Sequence, residues 1–130
     1  MTIEQAIHEA WAADAGLTAQ LPAARVFTGC APPESGRPAV VVERRGARQV
    51  LRTSTGTVER VAVALLVYES DYDRAAAIAA AAAARFDGAA FDSGEGRVVA
   101  MRRGEETRRV VGPERIEFAL VYELDVYRNV

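Results

Sequence analysis

The sequence predicts an α+β fold, a largely antiparallel or mixed sheet of four to five strands with two helices packed on one face. Three observations carry that expectation. An apolar stripe at helical spacing opens the chain, a second stripe runs through an alanine-rich segment, and several stretches alternate apolar and polar residues with the period of a strand. At 130 residues the chain suits one hydrophobic core, so a single domain over 1–130 is expected. Half the residues are hydrophobic and 26% are charged, the balance of a globular chain rather than a disordered one.

The first helix is predicted from Ile3, Ala6, Ile7, Ala10 and Trp11, which share one face, while Glu4, Gln5, His8 and Glu9 point outward. Thr2 and Gln5 have the spacing of a capping box, each side chain meeting a backbone N–H near the helix start. Gly16 is expected to end this helix or its last turn, with 17–21 as a link. A short strand follows at Arg25, Val26 and Phe27. The loop after it holds Gly29, Pro32, Pro33, Gly36 and Pro38, and proline donates no ladder hydrogen bond. Residues 39–43 are rich in valine and read as a strand. Residues 44–56 carry four arginines and only Val50 and Leu51 as an apolar pair, so a protruding hairpin or mobile loop is expected, ordered by a neighbouring subunit.

In 57–69, Val61, Val63, Leu65 and Val67 alternate with Arg60, Ala62, Ala64, Leu66 and Tyr68. Both sets are apolar near the centre, which predicts an interior strand. Ser70 and Asp71 supply a cap, and a helix then runs to Phe86, where Asp87 and Gly88 stop it. Its stripe of Ala75, Ile78, Ala79, Ala82 and Phe86 favours close packing on a sheet. Gly94, Glu95 and Gly96 form a turn before a strand at 97–102. Gly104, Glu105 and Glu106 are expected to make a second polar tip, with Gly112 and Pro113 punctuating the return. The last strand, 115–127, shows the cleanest alternation of the chain: Ile116, Phe118, Leu120, Tyr122, Leu124 and Val126 on one face.

The chemistry-bearing residues are few. His8 is the single histidine and lies on the polar side of its helix; Cys30 is the single cysteine and sits in the proline-rich loop without a basic neighbour to activate it. Neither a disulfide nor a cysteine zinc cluster can form within the chain. The acidic and glycine residues of 87–96 lack EF-hand spacing, and no phosphate-binding glycine loop is present. No catalytic role, cofactor or metal is therefore expected. No apolar run is long enough to span a bilayer, and the first residues lack the pattern of a secretory signal, so no membrane partner is expected. All sixteen basic residues are arginine, and the formal net charge of −2 does not point to sequence-specific nucleic-acid binding.

The arginines cluster twice, as Arg44, Arg45, Arg48 and Arg52, and as Arg102, Arg103, Arg108 and Arg109, both on expected loop tips. Such clusters suit a solvated edge that discourages strand aggregation, salt bridges across a subunit or partner interface, or phosphate contact.

Taken in order, these segments resemble the tail-terminator or tail-completion (head-tail joining) family of long-tailed bacteriophages and prophages. The resemblance rests on the amphipathic first helix, the run from Arg25 through Pro38 into Val40, Val41, Val42, Glu43 and Arg44, the strand ending Val67-Tyr68-Glu69, the capped alanine-rich helix, and the final strand. It implies a homo-oligomeric ring, commonly of six subunits, that caps the tail tube, stops its growth and meets the head connector. The implied location is the virion tail, assembled in the host cytoplasm. A small non-enzymatic ligand-binding or regulatory α+β domain is the alternative reading of the same residues.

Overall fold

The computed structural model describes residues 1–31, 36, 38–112 and 115–129, so Pro32, Pro33 and the expected turn at Pro113 lie outside the described residues. Helix α1 spans Ile3–Ala13, α2 Ala15–Gln20 and α3 Tyr72–Phe86; a single 3-10 turn covers Ala23–Arg25. The strands are β1 Val26–Thr28, β2 Ala39–Arg52, β3 Gly56–Glu69, β4 Phe91–Ser93, β5 Gly96–Gly112 and β6 Arg115–Asn129. They form one sheet in the order β1-β2-β3-β6-β5-β4, with β1 parallel to β2 and every other neighbour antiparallel.

Local chemistry sets the helix ends. The Gln5 N–H donates to the Thr2 hydroxyl at 3.1 Å, and the Gln5 side chain accepts from the Thr2 N–H at 2.8 Å, the capping box the sequence predicts. Asp14 both follows α1 and caps α2, accepting from the Leu17 N–H at 3.0 Å. Helix α2 corrects the expected link at 17–21. One residue serves two termini, so Gly16 falls inside the second helix instead of closing the first. Asp71 caps α3, accepting from the Asp73 N–H at 2.9 Å.

All three helices lie on one face of the sheet. Ile3, Ile7, Trp11, Leu17, Ile78, Ala79, Ala82 and Phe86 pack there against Val61, Val63, Leu65 and Val67 of β3 and Phe118, Leu120, Tyr122, Leu124 and Val126 of β6. Each fully buried large aliphatic or aromatic side chain contributes about 1.5 to 3 kcal/mol. Alanines at the contact bring the α3 backbone close to the strands, so Ala79→Leu or Ala82→Leu is expected to overpack the layer by about 1 to 3 kcal/mol. Melting temperatures equal to that of the unsubstituted chain would contradict this docking.

The sheet is wider and more regular than the four to five strands expected. β4, only three residues long, has no counterpart among the strands expected from the sequence. The expected second tip at Gly104, Glu105 and Glu106 is instead the middle of β5, which runs on through register shifts at Val98/Ala100, Arg103/Glu105 and Val110/Gly112. Residues 44–56 form a protruding hairpin and not a loose loop: β2 is paired to β3 as far as Arg52, and the turn is closed by the Thr53 N–H donating to the Gly56 carbonyl at 2.8 Å. Backbone pairing with β3, itself flanked on its other side by β6, orders this segment without a neighbouring subunit.

Candidate interface

The hairpin turn from β4 into β5 fastens the start of the chain. Gly96, at φ 135°, adopts a backbone conformation that suits glycine, and a Cβ there would lie 2.5 Å from the Tyr127 carbonyl oxygen. The Ile3 N–H donates to Glu95 Oε2 at 2.8 Å, and the Gly94 N–H donates to the Met1 carbonyl at 2.6 Å. Arg44 reaches across from β2 to bind Glu95 at 2.9 and 2.6 Å and also binds Glu4. The paired guanidinium holds the Glu95 carboxyl down at about 2, and its two carboxylates push the Arg44 guanidinium well above its ordinary range. Arg44 is thus an internal clasp joining α1, β2 and the β4–β5 turn.

Most of the other predicted interface arginines are also engaged within the chain. Arg102 binds Asp125, which Arg60 approaches at 3.1 Å, and these partners keep the Asp125 carboxyl below its usual range. Arg103 pairs with Asp87 at 3.4 Å. Arg108 donates to the Tyr72 hydroxyl at 2.6 Å and lies 4.9 Å from the Phe118 ring centroid. Arg109 donates to Glu117 at 2.9 Å, compensating a carboxylate that is only 5% exposed. Beside it, burial and the Glu117 carboxylate raise the Tyr68 hydroxyl to about 12. Arg45 pairs with Glu43 two residues away, whereas Arg48 and Arg52 are exposed and make no ion pair among the described residues. None of the eight arginines sits on a loop tip; all lie on β2 or β5.

The second face of the sheet carries no helix among the described residues. Val41, Ala64, Leu66 and Ala119 form a small apolar cluster there, bordered by Ala31, Tyr68 and Val121. Farther along the same face stand Arg60, Glu123 and Asp125, so an apolar strip gives way to a charged one. The sequence signal for this surface was present in β3, whose two faces are both apolar near its centre.

His8 Nε2 lies 3.0 Å from the Ala23 carbonyl, beside a groove of about 310 Å³ lined by Met1, Gln5, Glu9 and Thr28, and Cys30 is exposed on the loop after β1. Among the described residues no cluster of three or more histidine, cysteine or acidic side chains could hold a metal ion. Nor, among the described residues, is any helix long and apolar enough to cross a membrane.

Among the described residues the sheet thus carries helices on one face only, long strands with charged side chains at both edges, and a clasped N-terminal helix. The family model for tail completion protein gp17 matches residues 5–115. The chain belongs to the tail completion protein gp17 family. This membership makes it a structural protein of a phage-like tail, as the resemblance seen in the sequence implies. Among solved structures, a chain of the virion of a native gene transfer agent particle shares the fold, with a TM-score of 0.79 at 20% identity over 97% of this chain and 95% of that one. No curated protein matches the chain. The tail completion protein reading also accounts for the scarcity of chemistry-bearing side chains, because a structural subunit needs complementary surfaces more than reactive groups.

Proposed function

We propose that this tail completion protein assembles into a homo-oligomeric ring, of six subunits in the family's common form, which caps the finished tail tube and joins it to the head connector. The observation that carries the reading is the family match over 5–115; the sheet face without a helix, where a small buried apolar cluster at Val41, Leu66 and Ala119 gives way to the charged strip of Arg60, Glu123 and Asp125, supports it. The gene transfer agent chain of the same fold belongs to a virion, which fits a place in a tail between neighbouring proteins. The ring acts by geometry alone, without catalysis, cofactor or sequence-specific nucleic-acid contact, and takes its place in the virion tail during assembly in the host cytoplasm.

Multi-angle light scattering of the purified chain tests the assembly. The expected result is a discrete species at a small whole multiple of 14.0 kDa. Arg45→Glu with Arg48→Glu is expected to weaken it while leaving the melting temperature of the subunit unchanged, since both side chains are exposed and a repulsion repeated around a closed ring accumulates. A monomer at every concentration tried would remove the ring, and an unchanged assembly in the double variant would move the interface away from these two arginines.

A further inference from the structure

β1 covers β2 only at Val40, Val41 and Val42, leaving residues 44–52 of β2 with a single neighbour. On the far side, β4 covers β5 at Gly96, Arg97 and Val98, and the Gly88 N–H, donating to the Met101 carbonyl at 2.8 Å, extends that cover; residues 102–112 of β5 have only β6 beside them. The sheet therefore has two long open edges at diagonally opposite corners. Open edges present unpaired N–H and C=O groups that template another strand. Four exposed aliphatic side chains stand on these two edges, Val50 and Leu51 on β2 and Val110 and Val111 on β5, the last 37% and Val110 77% exposed.

We infer that the open edge of β2 in one subunit pairs, antiparallel, with the open edge of β5 in the next, joining the sheets of a ring into one closed wall. The inference rests on the ring reading above and names its seam. Strand direction agrees: within the sheet β2 and β5 run in opposite directions, so side-by-side copies bring them together antiparallel.

The offset of the two edges supplies an independent check. The middle of the β2 edge, Arg48, lies beside Arg60 of β3; the middle of the β5 edge, Thr107, lies beside Ala119, which pairs with Leu66 of β3. From Arg60 to Leu66 is about 20 Å along the strand. Crossing from one subunit to the next over β2, β3, β6 and β5 is about 19 Å. Copies related by rotation alone must then hold their strands about 45° from the ring axis, the upper end of the tilt at which sheets close into barrels. A much smaller offset would set the strands close to the ring axis and a much larger one close to the ring plane, both away from the tilt at which sheets close into barrels.

Full overlap places Arg48 opposite Thr107 and keeps the side chains of 46–49 and 106–109 on their own faces of the joined sheet. In that register Arg108 and Arg109 stand opposite Ala47 and Gly46, the small side chains of the β2 edge, and already have partners at Tyr72 and Glu117. Gln49 meets Glu106.

The seam is tested by cysteine pairs in a Cys30→Ser background. Arg48→Cys combined with Thr107→Cys, treated with a short bismaleimide, is expected to give a covalent ladder extending beyond the dimer, and Gly46→Cys with Arg109→Cys the same. Each single variant is expected to give none, because no cysteine then faces another. Ring-sized particles in light scattering without a ladder from either pair would overturn the seam while leaving the ring intact. Dimers from single variants would overturn it by showing like edges together, and a monomer would overturn both the seam and the ring.

Discussion

Trp11→Ala is expected to lower stability by about 3 to 5 kcal/mol, a melting temperature lower by roughly 10 to 20 °C. Trp11 is fully buried, its ring 6.4 Å from that of Phe86, so truncation leaves a cavity between α1 and α3 that the alanine-rich stripe cannot fill. Its Nε1 donates to the Leu21 carbonyl at 2.9 Å, and this bond fixes the end of α2, where the chain turns toward β1. Losing it strands a buried carbonyl as well. Against a total of about 5 to 15 kcal/mol, one substitution removes a large share. Trp11→Phe separates the contributions: it keeps most of the volume and loses the hydrogen bond, with an expected cost of about 1 kcal/mol. Equal losses for both variants in thermal unfolding would show that the hydrogen bond, not the packed volume, dominates.

Arg44→Ala is expected to cost about 1 to 3 kcal/mol at neutral pH, below the value for a fully buried pair because the Arg44 side chain is 29% exposed. The substitution leaves Glu4 without its cation and Glu95 with only Arg128, 4.0 Å away, and removes the link from β2 to α1 and the β4–β5 turn. The pH dependence has a definite sign. Glu95 is held at about 2, below its ordinary 4.5, so its contribution is complete above pH 4.5 and is lost as pH falls toward 2. The gap between the original chain and Arg44→Ala should therefore narrow over that window, read from unfolding curves at successive pH values. A gap that stays constant from neutral pH to pH 2 would show that Arg44 acts through its aliphatic stem and not through the carboxylates.

Much of the core was legible because its cause is local. The capping box needs only Thr2 and Gln5, the α3 stripe is a spacing, and the alternation in β3 and β6 records one side of each strand facing helices. What escaped depends on partners remote in the chain. β5 carries arginine and glutamate on both faces beyond Met101, so no apolar period marks it; pairing with β6 makes it a strand, and its side chains remain in water. β4 exists because three residues meet the start of β5 across a tight turn. Helix α2 hides behind Gly16 because Asp14 serves two helix ends at once. The arginine clusters were visible, but their division was not: Arg44 finds Glu95 51 positions away and Arg102 finds Asp125 23 positions away, distances at which charge spacing carries no signal. Arg48 and Arg52 make no ion pair among the described residues and stay exposed on β2, whereas all four arginines of the β5 cluster have partners within the chain.

Electron microscopy of tail tubes from the same particle, incubated with and without the purified protein, tests whether this chain caps the tube. The expected result is a ring seated at one end of each tube and no further growth from that end when tube subunits are added. Tubes that bind none of the protein and continue to lengthen at both ends in its presence would contradict it.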